Sequence, residues 1–526
     1  MSLAPYTGPW TKTEATHLLK RTVVGYKKAH INWSVDNGLS NTISALLTLS
    51  PDDFPVAFNN DDPLTPLGTT WVNNLYPNTN GAVVDNMRRV SLTSWMNQKL
   101  YSGDMNIKEK MTLFWLNHFG VRMEHEPNIG YQYISLIRNN CLGNFKQLVK
   151  DMTINPEMLM FLSGAFNTQY SPNENFAREL FELFTIGKGP QIGPGDYTYY
   201  TEADILAASK VLTGWTIQNY AGTVSQGSIA QSVFMPILHD TSTKQLSDKF
   251  NNAVITDNAD EEYKDLIDII FQEEQVAHYI SKKLYRWFVN YDITPTVNST
   301  IIEPLAALII ANNYDILQAI STLLSSQHFF DATLRGTIVK DPCDFMATMF
   351  TSTNTNLNYD LPTTTEVYYN FHWITGTNGM NITAPSEVAG WYPFFLSPAY
   401  SQLWINSARI KERSGFSWWV LYSGPMINGQ QIQIDALGFL NAMDFPNDDL
   451  AIVLELESMF CCKPLSPTQR LYLRTLLHNG QGSTVWTMEY DNYAANPGNT
   501  AQANLIRGRM TAMLSGFYRM AEFHVI

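Results

Sequence analysis

The chain has 526 residues, 45% of them hydrophobic and only 16% charged, which is enough to bury a large core and too apolar for a disordered chain. Its formal net charge of −14 repels phosphate backbones, and no dense Lys/Arg cluster reverses this, so nucleic acid is excluded as a partner. No apolar run approaches the roughly 18 residues that cross a bilayer, and no membrane span is expected.

Residues 1–10 carry neither a basic stretch nor an apolar run and do not read as a signal peptide. The low charge, with 13 Trp and 26 Tyr, leans towards the periplasm or cell surface over the cytoplasm. Export would then need a trimmed leader or a partner that carries one. A first helix opens at residue 13 and closes at Gly25, and 34–49 reads as a second. The Asn/Asp/Pro-rich stretch 52–81 is a loop. Helices follow over 85–101, 106–119, 128–142 and 145–152, and Pro156 stands where a first helical turn begins. The clearest helical patterns are 173–187 and 201–214, separated by a Gly/Pro/Tyr loop. Residues 216–257 are rich in β-branched and small polar side chains and read as a small β-hairpin insertion. Helices resume over 259–290 and 295–327. Residues 351–360 form an Asn/Thr linker and 377–398 a Gly/Pro/aromatic loop. Helices over 399–422, 447–460, 466–478 and 501–523 close the chain. The expected fold is mainly α, a large multi-helix structure. One helical lobe spans 1–350 and another 361–526, and the two are able to form one continuous domain.

Familiar catalytic signatures are absent: no G-x-S-x-G, no H-E-x-x-H, no P-loop and no EF-hand loop. Cys141, Cys343, Cys461 and Cys462 include no C-x-x-C and read as buried thiols. A bond between Cys461 and Cys462 is not indicated. Five constellations carry candidate chemistry. Along 173–187, Glu174, Arg178, Glu179 and Glu182 share one helical arc. They read as a solvated i,i+4 ladder or as carboxylates crowded in a cleft, where one becomes a general acid. Thr201 and Asp204 read as a capping box, with no chemistry assigned to Asp204. Asn117 and His118 lie in F-W-L-N-H-F (114–119). There His118 shares the apolar face, either as a core histidine bonded to a carbonyl or as a base facing a cavity. His239, Asp240 and Lys244 combine an imidazole, an orienting carboxylate and an anion-binding amine. Trp391, in an aromatic loop, and Arg409 offer a stacking face and a cation, with core packing as the alternative.

In order along the chain, these segments resemble the bacterial domain of unknown function 1800 (DUF1800) family. The likeness starts at His17 and runs through F-W-L-N-H-F, N-E-N-F-A-R-E-L-F-E-L-F-T-I-G (173–187), Y-T-E-A-D and L-T-G-W. It continues through His239-Asp240 with Lys244, K-L-Y-R-W-F-V (283–289), V-A-G-W (388–391) and W-I-N-S-A-R (404–409). The resemblance implies a helical fold and a bacterial source, and names no activity. It also suggests a partner, a protein of the domain of unknown function 1501 (DUF1501) family, whose members resemble exported phosphatases and sulfatases. The chain departs from the family pattern after His239-Asp240, where Ser242-Thr243 replaces a small Gly turn, and in a lengthened acidic loop at 52–62.

Three functions follow as expectations. The first is a helical binding subunit of an exported hydrolase or cell-envelope polymer system. The second is a hydrolase or lyase acting on a carbohydrate or ester, with Glu174, Glu179, Glu182, His118 and His239 as acid–base candidates. In it Arg178, Asp240, Lys244, Asn117, Trp391 and Arg409 hold a carbohydrate or small anionic ligand. The third is a metal-binding protein, although no spacing demands a metal and no cofactor is specified.

Overall fold

Side-chain caps mark where the chain turns helical. Thr11 opens the Lys12–Thr22 helix with a capping box completed by Glu14. Thr201 does the same for Glu202–Val211, and the Asp204 carboxylate returns to Thr201 N at 2.7 Å. In both, a short polar side chain satisfies amides that a first turn leaves open. Pro156 stands at the first turn of Pro156–Phe161, where its missing N–H is not needed.

The computed structural model describes residues 2–220 and 229–526, and these are mainly α-helical. Among them are four two-stranded antiparallel sheets. The region expected as one β-hairpin holds two pairs: Trp215–Gln218 with Gln231–Phe234, and Lys244–Gln245 with Val254–Ile255. The segment 221–228, inside the expected hairpin, lies outside the described residues.

The expected helix over 259–290 is two, Glu262–Ile270 and Glu274–Phe288, with Glu273 extended between them. Several helices escape the periodicity, Pro342–Ser352 and Ser483–Ala495 among them, and the longest is instructive. Leu361–Thr377 contains three successive threonines, whose branched side chains lower helix propensity. Asp360 caps it through Thr363 N, and its face of Val367, Tyr368 and Phe371 is buried. It packs along Gly81–Leu100, so tertiary burial overrides local preference.

Most buried apolar side chains form one contiguous core from Leu18 to Phe523, beside a small second cluster of Ala57, Phe58, Met87 and Val90. The Lys108–Phe119 helix runs through it with every residue buried except Glu109. A helix buried on all sides must give its polar side chains internal partners. Asn117 and His118 are therefore the places where its polarity has to be answered by other elements. The four cysteines are free thiols, with Cys141 and Cys343 buried.

Candidate functional site

The Glu174–Glu179 helix runs on into a π-helical turn, Leu180–Thr185. The last turn of any helix leaves carbonyls without amide partners, and single π turns are common at functional positions. Here three side chains from two other helices meet those carbonyls. His118 Nε2 bonds Phe184 O at 3.1 Å. Tyr279 Oη donates to Leu183 O at 3.1 Å, and Lys283 Nζ donates to the same carbonyl at 3.2 Å. Lys283 Nζ also lies 3.1 Å from His118 Nδ1. A carbonyl only accepts, so the hydrogen of neutral His118 sits on Nε2, and Nδ1 accepts from Lys283. Burial, then the adjacent Lys283, holds the His118 pKa well below its ordinary value, which keeps the ring neutral.

A cavity of about 250 Å³ opens over this contact. One wall is the Glu274–Phe288 helix. Its Tyr279, Lys283 and Arg286 recur at helical spacing, flanked by Lys282 and Trp287, while Val276, Ala277, Ile280 and Leu284 point into the core. The facing walls are Phe114, Asn117 and His118, and the 389–401 segment through Ala389, Phe394 and Tyr400. Three basic side chains thus line one small cavity, and among the described residues none of them pairs with a carboxylate. The Arg286 guanidinium instead lies 4.9 Å from the Tyr400 ring centre and donates through Nε to Tyr291 O at 3.3 Å. Burial, reinforced by Arg286, lowers the Lys283 pKa to about 7. Tyr400 has φ +42°, in the left-handed region that bulky residues avoid, a kind of strain that clusters at functional sites.

Two glycines let the cavity's walls close on each other. Gly390 has φ +101°, and a Cβ there would fall 2.3 Å from Asn117 Oδ1. Gly120 has φ +60°, and its Cβ would fall 2.0 Å from Val388 O. Each glycine accepts the other segment's polar atoms at distances no side chain tolerates. Trp391 N completes the clamp by donating to Asn117 Oδ1 at 2.9 Å.

The remaining candidates go elsewhere. Arg178 is gripped by both oxygens of Glu202, at 2.8 and 2.6 Å, and meets Glu174 at 3.2 Å. Glu182 receives Lys188 at 2.9 Å and the Tyr200 hydroxyl. Glu179 is half-buried, and burial followed by repulsion from Glu182 raises its pKa. None of Glu174, Glu179 and Glu182 is in the cavity wall with His118. His239 is buried in a second cluster. Its Nε2 lies 3.0 Å from Glu262 and its Nδ1 2.9 Å from Thr213 O. Lys244 sits 2.6 Å from the other Glu262 oxygen and donates to Asp240 O. Asp240 accepts from Ser242 N at 2.8 Å, so it orients its own loop and not the imidazole. His239, Asp257 and Glu262 bring ligand atoms within 4.8 Å of one another, a spacing a metal ion would accept. The Lys244 ammonium already stands against Glu262, however, and supplies the positive charge a metal would bring. Trp391 is fully buried, with Nε1 donating to Asn381 O at 3.2 Å, and presents no face to the cavity. Arg409 donates to Asn378 O, at the end of the Leu361–Thr377 helix.

The family model for a protein of unknown function (DUF1800) matches residues 17–513. The chain belongs to this family. No curated protein and no solved structure matches it. Sequence reasoning took Lys282, Lys283 and Arg286 only as a basic stretch too short to bind nucleic acid and did not read them, with Tyr279, as a site, although their signal was present. Basic side chains at 282, 283 and 286 share a helix with no acidic residue among them, in a chain where acids outnumber bases.

Proposed function

We propose that the cavity at Lys283 is the functional site and that it binds a small anionic molecule with a flat or apolar portion. The observation that carries this reading is electrostatic. In a protein of net charge −14, basic groups ordinarily find carboxylates. Here Lys282, Lys283 and Arg286 line one cavity without any among the described residues, so a ligand is the natural source of the missing charge. Tyr279, Trp287, Phe394 and Tyr400 provide apolar surface for the rest of that ligand. The volume suits a small molecule and not a polymer segment.

Four of the family-like stretches support the same place. F-W-L-N-H-F and K-L-Y-R-W-F-V provide wall residues, 173–187 provides carbonyls, and V-A-G-W provides the glycine clamp. The hydrolase reading built on Glu179 and His118 gains no such support, because both His118 nitrogens already have partners. A protein of the DUF1501 family stays the partner that the family resemblance suggests, and it bears on where the protein acts more than on this cavity.

Titration calorimetry with benzoate, a hexuronate and inorganic phosphate tests the proposal. The expected result is saturable binding that weakens with added salt and falls in Arg286→Gln. If no anion in the set binds, or if binding is unchanged in Arg286→Gln and Lys282→Gln, the cavity is not an anion site.

A further inference from the structure

Resting on the anion-site reading, we infer that Lys283 is a carbonyl-condensing lysine, whose ε-amine forms an imine with a small oxo acid held by Lys282 and Arg286. The geometry of its nitrogen argues for this. Lys283 Nζ has two hydrogen-bond partners, His118 Nδ1 at 3.1 Å and Leu183 O at 3.2 Å, and the Tyr279 ring centre lies 4.8 Å away. Both are acceptors, the first because His118 carries its hydrogen on the Nε2 facing Phe184 O. A neutral amine has two N–H bonds and one lone pair. With both hydrogens engaged by the protein, the lone pair has no hydrogen-bond donor among the described residues, and Lys283 lines the cavity. A purely structural lysine would be expected to meet a carboxylate, and among the described residues this one does not.

The neutral form is accessible. Burial and the positive Arg286 bring the Lys283 pKa to about 7, so at neutral pH its unprotonated fraction is roughly a thousandfold that of an ordinary lysine. Basicity alone does not single it out. Lys340 is lowered to about 7 as well, but its side chain is fully buried against the Phe523 ring at 4.1 Å and lines no part of this cavity. Lys283 combines the free lone pair with access.

The step balances without any further reagent. The amine nitrogen attacks the carbonyl carbon, an N–C bond forms, and the carbonyl oxygen becomes an alkoxide. One amine proton transfers to that oxygen, giving a carbinolamine. Loss of the hydroxyl with the second amine proton releases water and leaves a C=N bond. Arg286 and Lys282 hold the carboxylate of the oxo acid, and the adjacent positive charge favours the unprotonated amine until the acid arrives.

Reductive trapping tests this directly. The full chain is incubated with glyoxylate or pyruvate and cyanoborohydride at neutral pH, and modified lysines are located by peptide mass spectrometry. The expected result is alkylation of Lys283 at least about tenfold faster than Lys282 or surface lysines, none at Lys340, and slowing by benzoate. In Lys283→Arg the fast-reacting position disappears while benzoate still binds. Labelling spread over surface lysines with no excess at Lys283 overturns the inference, and so does preferential labelling of Lys340. Benzoate binding without a trapped adduct removes the imine and leaves the anion site standing. Failure of both benzoate binding and trapping removes both.

Discussion

Lys244 and Lys283 are both withdrawn from bulk water, yet they keep opposite company. Lys244 faces Glu262 at 2.6 Å, and Glu262 in turn faces His239 at 3.0 Å. The side chains of Lys244 and Glu262 are almost completely inaccessible, at 1% and 0%. The cluster is closed: each charge is answered from within the protein, and nothing is left for a ligand to do. Lys283 has only neutral acceptors, with Arg286 and Lys282 nearby, and opens onto a cavity. A charge satisfied internally holds the fold together, whereas a charge left unanswered at a cavity wall waits for something from outside. Sequence inspection singled out only the first as a candidate site, because His239-Asp240-Lys244 is a compact string and the Lys283 group is assembled across four segments.

The largest effect expected is on stability, at the closed cluster. Glu262→Gln leaves Lys244 and His239 buried without their carboxylate, and should cost about 3–5 kcal/mol in urea unfolding. A cost under about 1 kcal/mol would show that the cluster is not closed. Dialysis against EDTA should leave the wild-type midpoint unmoved. A fall would show that His239, Asp257 and Glu262 hold a cation despite Lys244.

Lys283→Met should be milder, about 1–2 kcal/mol, because it removes hydrogen bonds and leaves the Leu183 carbonyl to Tyr279 alone. Its pH signature is more telling than its size. The groups facing Lys283 are His118, neutral throughout, Tyr279, whose burial keeps it protonated, and the cationic Arg286 and Lys282. Between about pH 7 and 10 the unfolded state holds a proton on Lys283 that the folded state has released. Unfolding therefore takes up that proton, and wild-type stability rises with pH across this window. The rise should be smaller in Lys283→Met than in wild type. Parallel curves would mean that Lys283 keeps its proton in the folded state across this window.

Arg286→Gln should barely alter stability, since Arg286 pairs with no carboxylate, and should weaken benzoate binding by roughly tenfold, as expected for one charge-assisted hydrogen bond. Calorimetry at two salt concentrations would register a shallower salt dependence as well.

How much of this could be read from the sequence depended on the range of the interaction. Capping boxes act over three residues, so the Thr201–Asp204 box and the Pro156 turn were legible from residue types alone. The mainly helical class followed from periodicity, which failed where threonine clustering hid the Leu361–Thr377 helix. The apolar setting of His118 was legible too, but not which nitrogen would meet which partner. That depends on a π turn exposing the Leu183 and Phe184 carbonyls, and no residue pattern announces such a turn. The cavity needed contacts such as Gly390 against Asn117, set by chain paths hundreds of residues apart.

The smallest effect belongs to the acidic arc, and its smallness is what makes it informative. Glu174 is 45% exposed and meets Arg178 at 3.2 Å, while Arg178 has both oxygens of Glu202 at shorter range. Removing the Glu174 charge therefore takes away the weaker of these two partners, in water that screens it. Glu174→Gln should change unfolding free energy by less than about 0.5 kcal/mol and leave benzoate affinity and Lys283 trapping where they were. Should this substitution abolish ligand binding instead, the carboxylate arc and not the Lys283 cavity would be the working surface. The rule separating answered from unanswered charges would then fail in the very helix whose far end builds the site.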